Sequence, residues 1–307
     1  CDGSVAFRSP AIALKYARVS LGIEKQSKVM ISALAPAWQY QALVSLDMIP
    51  LVLDVQEMNG LVSLDAVQKG MQDGGKVLLL HESEGILPEL EEMTKLGIPV
   101  IEDISMSAGA SVPVKDENGN ETGRKKAGLF GVFSIMGLEE RDVITSGGGA
   151  VLMAPGRREW IVLKKFCDEA PLTDLLPDIN AALAWVQLKE FARNETARKE
   201  IFNLYQHSCM VGRHKTFARE LEEGSTMSCF PLVLSSSFKD VKQYAAKKDI
   251  EIRLAFEGSV IDLLQEELSE SCIKAKSLLL RTAHFPLYPR LTHSESAKIS
   301  KVLGSLP

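Results

Sequence analysis

Two carboxylates close an apolar run at Ile98-Pro-Val-Ile-Glu-Asp103, and small residues follow it through Ser111. The pattern reads as a buried parallel strand that delivers Asp103 to the carboxyl edge of a sheet, where open α/β sheets bind ligands. By pattern alone the commoner reading of Asp103 is an acidic residue that ends a buried strand and is solvated at the sheet edge. Gly128-Leu-Phe-Gly-Val-Phe-Ser-Ile135 and the glycine-rich Thr145-Ser-Gly-Gly-Gly-Ala-Val151 follow, with the segment between them crossing the presumed site. The five histidines show no metal-ligand spacing, and His284 before Pro286 reads as structural. The five cysteines (Cys1, Cys167, Cys209, Cys229, Cys272) include no CxxC pair, so their spacing implies neither a disulfide framework nor a zinc site. Reduced thiols in a cytoplasm fit this usage.

The elements that must position these residues alternate. Helical spacing runs from Ala11 to Leu21, an apolar strand from Lys28 to Ile31, a helix from Gln39 to Leu46, and a strand from Ile49 to Leu53. A helix from Ser63 to Lys69 follows, with Ser63 as its N-cap. Strand Lys76 to Leu80, helix Leu87 to Lys95 and strand Ile98 to Glu102 continue the series. Repeated strand-helix units of this length predict a mainly parallel sheet. Lys115 to Lys126, with Asp116-Glu-Asn-Gly-Asn-Glu121 at its middle, reads as an exposed hairpin or loop. Strands at Gly131–Ile135 and Ala150–Met153, a helix at Arg157–Cys167 and one long amphipathic segment from Asp178 to Tyr205 complete the first part. Strand Ser228–Leu234, helix Phe238–Lys248, strand Ile250–Ala255, the run Leu278–Arg281 and a closing helix Ser294–Val302 make up the second.

A chain of 307 residues that is 46% hydrophobic can bury the core of one large and one smaller domain. The net charge of -5, with acids and bases interleaved, offers no basic stripe for a nucleic-acid backbone. No apolar run is long enough to span a membrane, and no signal-peptide pattern is visible. The expected class is a cytoplasmic protein with no nucleic-acid or membrane partner.

Val100-Ile-Glu-Asp103 with Ala108-Gly-Ala110, then Phe133-Ser134 and Gly147-Gly-Gly-Ala-Val151, resembles the core of the DegT/StrS-type sugar aminotransferases. Ala181-Ala-Leu-Ala-Trp-Val-Gln-Leu188 resembles that family's helix leading into the small domain, and Phe285-Pro-Leu-Tyr-Pro-Arg-Leu-Thr292 is similar to its closing signature. The resemblance covers nearly all of the chain. It implies the α/β fold of type I PLP-dependent aminotransferases: a mainly parallel, seven-stranded-type sheet in a large domain (1–200) and a smaller α+β C-terminal domain (201–307). The chain enters the resemblance well inside the family's own length, so an N-terminal arm is expected to be missing from it. The resemblance further implies a homodimer, to which the apolar stretch Met48 to Leu53 and the early helices would contribute.

For pyridoxal phosphate the resemblance assigns Asp103 to the pyridine nitrogen, keeping the ring an electron sink. Ser134 matches the family's phosphate-contacting serine. The family's Gly-Thr at the helix start is Pro10-Ala11 here, leaving Ser9 to cap the helix; proline has no N–H to offer a phosphate. Trp38 stands near the place of the ring-stacking aromatic, and Met106 replaces a glutamine or histidine. Thr173-Asp-Leu175 replaces the Asn-x-Arg that reaches the neighbouring subunit, and Arg253 stands where the family carries a substrate-facing arginine. The lysine position falls among Glu139, Glu140 and Arg141, none of which can form an imine. Lys125 and Lys126 precede the strand, and Lys164 and Lys165 lie on a later helix. All four read as solvated.

Loss of the lysine, the Gly-Thr, the Gln/His and the trans arginine together suggests a homologue of sugar-nucleotide aminotransferases that has left transaminase chemistry. Such a protein would bind a sugar nucleotide or a partner within amino-sugar or polysaccharide biosynthesis. An active PLP-dependent aminotransferase and a lysine-free, dehydratase-like enzyme using PLP or PMP remain the alternatives.

Overall fold

The computed structural model describes residues 1–115, 120–210, 212–217, 224–264, 266–268 and 270–307. In chain order the first strands are β1 (Gly3–Phe7), β2 (Lys28–Ser32), β3 (Ile49–Leu53), β4 (Gly75–His81), β5 (Val100–Asp103), β6 (Ser111–Lys115), β7 (Glu121–Lys126), β8 (Phe133–Gly137) and β9 (Ala150–Ala154). Seven of them form one sheet in the order β1-β9-β8-β5-β4-β2-β3. The pairs β3–β2, β2–β4, β4–β5 and β5–β8 are parallel, and β9 alone runs against its neighbours β8 and β1. This is the mainly parallel, seven-stranded sheet that the resemblance implies. Strand β1 was not expected, because five residues at one end of the chain become a strand only by pairing with β9, far away in sequence.

Both faces of this sheet are covered, which is why its strands read as continuous apolar runs. One face carries Ile31, Leu79, Ile101, Phe133 and Ile135 and packs against α1 (Pro10–Ser20), α2 (Ala37–Ser45) and α5 (Arg157–Asp168). The other carries Met30, Leu78, Leu80 and Val100, with Val67 of α3 (Leu64–Gln72) and Leu90 and Met93 of α4 (Leu90–Thr94). Ser63 caps α3 as expected, its hydroxyl accepting from Ala66 N. Helix α4 is shorter than the spacing suggests, since Leu87 precedes Pro88 and is biased away from helical geometry. The polar segment is a hairpin of β6 and β7; residues 116–119 of its expected turn lie outside the described residues.

The long amphipathic segment is two helices, α6 (Asp178–Lys189) and α7 (Phe191–Cys209), joined at Glu190. They differ in burial: α6 buries Ala184, whereas α7 buries Ile201, Phe202, Tyr205 and Cys209. Position 200, the expected domain boundary, lies inside α7. A second sheet, wholly antiparallel, has the order β10-β11-β13-β12, from β10 (Lys215–Thr216), β11 (Phe230–Val233), β12 (Arg253–Leu254) and β13 (Thr282–Phe285). Its core joins Phe230, Leu232 and Ala283 to α7, to Val241 of α8 (Phe238–Ala246) and to Ile299 of α11 (His293–Leu303). Between β12 and β13, α9 (Val260–Leu263) and α10 (Ile273–Arg281) pack back on the first sheet through Ile261, Ala275, Leu278 and Leu279. The run Leu278–Arg281 therefore ends a helix, because Ala275, Leu278 and Leu279 share one buried face, and the strand begins at Thr282.

Within the stretch Met48 to Leu53 the ends are buried in the chain's own core, Met48 at 5% and Leu53 at 8% exposure, while Ile49 between them is 38% exposed. The larger exposed apolar surface lies on α6, where Ile179, Trp185 and Val186 are 72%, 60% and 58% exposed. Among the described residues, no helix is long and apolar enough to cross a membrane.

Candidate functional site

Strands β4 and β5 run in register so that His81 lies beside Asp103 at their carboxyl ends. Asp103 is fully buried, and both of its oxygens are engaged. Oδ2 accepts from Gln39 Nε2 of α2 at 2.7 Å and meets His81 Nδ1 at 3.0 Å. Oδ1 accepts from the Ser105 backbone N–H at 3.2 Å and from its hydroxyl at 2.5 Å. Burial by itself would raise the Asp103 pKa, but His81 and the two Ser105 donors outweigh it and hold the carboxyl below its usual value. An ionised carboxylate at this strand end is what a cationic ring nitrogen requires.

The end of β8 completes the cluster. Gly137 N donates to Ser105 Oγ at 2.9 Å, and Asp142 turns back to accept from Glu139 N at 2.7 Å. A Cβ on Gly137 would stand 2.2 Å from Asp142 Oδ2 and 2.8 Å from Ser105 Oγ, so only glycine permits this approach. Burial pushes Asp142 up to about 7; the Glu139 N–H opposes the shift, while the charge of Asp103 adds to it. Two carboxylates of different character therefore share Ser105 as neighbour: Asp103 is held ionised, and Asp142 titrates near neutrality. Glu139, Glu140 and Arg141 are exposed. Arg141 donates to the Glu257 carbonyl at 2.9 Å, and Glu139 Oε1 accepts from Gly149 N at 3.3 Å.

The remaining candidates are dispersed. Ser9 caps α1 by accepting from Ile12 N, and Pro10 opens that helix. Trp38, half-buried at the start of α2, packs on the same core face as Ile31 and Leu79. Met106 is half-buried just after the cluster. Ser134 is paired in register with Glu102, not with Asp103, so it projects to the opposite face of the sheet, where its hydroxyl donates to Gly128 O. There Glu102 accepts from Gly128, Phe130 and Gly131 N–H groups and fixes the turn into β8. Arg253 is exposed on β12. Thr173 to Leu175 is tied to its own chain: Arg8 Nε donates to Thr173 O, Lys15 and Tyr16 both reach Asp174 Oδ2, and Leu175 bridges to Phe7. Lys125 lies over the Phe130 ring, and Lys164 and Lys165 line an open cavity of about 690 Å³ over α5 with Trp160.

Gln39, His81, Ser105 and Asp142 escaped the reading of the sequence. His81 carried a usable signal, since it ends its apolar strand as Asp103 ends the neighbouring one. Gln39 and Asp142 carried none, because a helix and a loop bring them in.

Residues 172–304 match the DegT/DnrJ/EryC1/StrS aminotransferase family. The fold is that of solved sugar aminotransferases. A putative sugar aminotransferase from Streptococcus pneumoniae in its PLP form superposes with a TM-score of 0.84 at 15% identity, covering 98% of this chain and 86% of that one. DesV of S. venezuelae, solved with a ketimine intermediate, gives 0.85 at 14%, covering 98% and 84%. A DegT/DnrJ/EryC1/StrS aminotransferase from Brucella abortus gives 0.83 at 17%, covering 98% and 85%. The S. pneumoniae protein is solved in both a PLP form and a PMP form, and pyridoxal phosphate is the cofactor that the sequence resemblance implies. The residues present fit it in one respect, the ionised Asp103. At the two other positions that the resemblance assigns, Glu139 to Arg141 carry no amine, and Pro10-Ala11 presents neither an N–H at the first helical position nor a hydroxyl.

Proposed function

We propose that this chain is a sugar-aminotransferase homologue that has left transaminase chemistry and binds a sugar nucleotide at the carboxyl edge of its large sheet. The observation that carries the reading is the saturation of Asp103. With Gln39, His81 and Ser105 supplying four contacts, the carboxylate is satisfied by the chain itself. A buried carboxylate awaiting a ring nitrogen would leave an acceptor position open. Two copies of the chain assemble as a homodimer in which the apolar surface of α6 is covered. Exposed apolar patches of this kind mark interaction sites.

The test is the visible spectrum of the purified protein with added PLP, before and after borohydride. The expected result is no aldimine band and no PLP fixed to the chain after reduction. A band traced by peptide mapping to any lysine restores the aminotransferase. The ionised Asp103 favours one second reading, non-covalent use of PLP or PMP. Equilibrium dialysis with PMP distinguishes it, since micromolar retention without borohydride trapping supports that reading.

A further inference from the structure

Three side chains from distant parts of the chain converge between the two sheets. Glu84 lies in the one-turn helix Ser83–Gly85 after β4, Cys229 just before β11, and His284 on β13. Glu84 Oε2 stands 2.5 Å from His284 Nε2 and accepts from Cys229 Sγ at 2.7 Å. The three donor atoms lie within 4.8 Å of one another, and all three residues are buried. Glu84 has a left-handed backbone, φ 58° and ψ 19°, a conformation that costs on the order of 1–3 kcal/mol for a residue with a side chain. The next residue, Gly85 at φ 73°, lets the turn press against the segment before β11; a Cβ there would be 2.5 Å from Thr226 O and 3.1 Å from Met106 O. A strained turn thus aims a carboxylate at an imidazole and a thiol supplied by the other sheet.

We propose that Glu84, Cys229 and His284 form a zinc site that staples the small sheet to the large one. One oxygen, one nitrogen and one sulfur donor make a set that zinc accepts, whereas calcium and magnesium require oxygen. Zinc–ligand distances of about 2.0–2.3 Å set tetrahedral donors roughly 3.3–3.8 Å apart, so the Glu84–His284 and Glu84–Cys229 separations open by about 1 Å around the ion. The hydrogen-bonded trio is the protonated form of the same site. On binding, the Cys229 S–H bond breaks and its proton leaves to solvent. The proton that Glu84 Oε2 and His284 Nε2 share in the metal-free form is also displaced, to Nδ1 if the imidazole was the neutral Nε2–H tautomer and otherwise to solvent, so that Nε2 presents its lone pair and the bonds Zn–S, Zn–Nε2 and Zn–O form. Water fills the fourth position. The site shares no side chain with the Asp103 cluster.

The test uses the whole chain, freed of metal by a chelator and titrated with zinc against a chromophoric competitor, then with cobalt as a spectroscopic probe. The expected result is about one zinc per chain and, with cobalt, a thiolate charge-transfer band in the near ultraviolet. Cys229→Ala abolishes the band and weakens zinc binding by on the order of 100-fold or more, while Cys1→Ser changes neither. Circular dichroism of each metal-free variant checks its fold. If Cys229→Ala does not fold, protection of Cys229 from alkylation by zinc in the unaltered chain replaces it. No zinc binding in the micromolar range, a cobalt–thiolate band that survives Cys229→Ala, or unchanged alkylation of Cys229 overturns the proposal.

Discussion

Ser105 mediates between two acids of opposite behaviour. Its hydroxyl donates to Asp103 and accepts from Gly137 N, and beside it Asp142 is pushed up to about 7 by burial. A carboxyl whose folded pKa lies above its ordinary value of 3.8 stabilises the fold below about pH 4, and that contribution is lost as pH rises through about 7. Asp142→Asn cannot ionise but keeps an acceptor for the Glu139 N–H. The unfolding free energy of the variant relative to the unaltered chain should therefore climb between about pH 4 and pH 7, by up to about 4 kcal/mol. Urea titrations across that range measure it, and a pH-independent difference would show that Asp142 titrates normally. A second prediction concerns repair. Arg141→Lys supplies an amine, but Arg141 is exposed and reaches toward Glu257, and misplacement by about 1 Å already costs about a hundredfold in rate. The expected outcome is no transamination of sugar-nucleotide ketones with glutamate as donor. Turnover would show that the other departures are immaterial. Adding Pro10→Gly and Ala11→Thr is the smallest change expected to yield tight PLP binding, because phosphate anchoring and amine capture act on one ligand.

At the scale of elements, the strand ends present the acids and the helices complete their shells. Helix α2 supplies Gln39 to Asp103 at 2.7 Å. Gln39→Leu removes a donor to a buried charge and should lower stability by about 1.5–3 kcal/mol, read from chemical denaturation. A loss near zero would mean that water replaces the amide there. Helix α11 closes the small sheet and begins with a capping box: Thr292 Oγ1 accepts from Glu295 N, and Glu295 reaches back to Thr292 N. Thr292→Ala should cost about 1 kcal/mol of stability without changing the spectrum with PLP, since it lies far from Asp103 in role as well as in sequence.

For the whole molecule the decisive surface is α6. Helix α6 packs through Ala184 but leaves Ile179, Leu183, Trp185, Val186 and Leu188 exposed among the described residues, an apolar surface of the kind that marks an interface. The homodimer reading predicts two-fold contact there, with stable interfaces of this kind burying more than about 2,000 Å². Trp185→Asp with Val186→Asp should convert a dimer into a monomer in sedimentation, with circular dichroism unchanged. A variant that stays dimeric locates the contact elsewhere.

Local pattern determined much of this protein. Apolar runs bounded by polar turns identified β2 to β5, β8 and β9, and Asp103 at the end of its strand, because each signal lies within a few consecutive residues. Ser9 and Ser63 as caps were legible for the same reason, and the changed residues at Pro10-Ala11 and Glu139 to Arg141 could be read without coordinates. Contacts between distant segments were not legible. That β1 is a strand, that Ser134 shares a face with Glu102 and not with Asp103, and that Gln39 and Asp142 join the cluster all follow from pairing and packing across the sheet. The histidines and cysteines make the point most sharply, since no spacing among them suggests a ligand set. Glu84, Cys229 and His284 meet only because β13 pairs with β11 and both lie against the turn after β4. Proximity of that kind is a property of sheet topology, which a one-dimensional pattern does not encode.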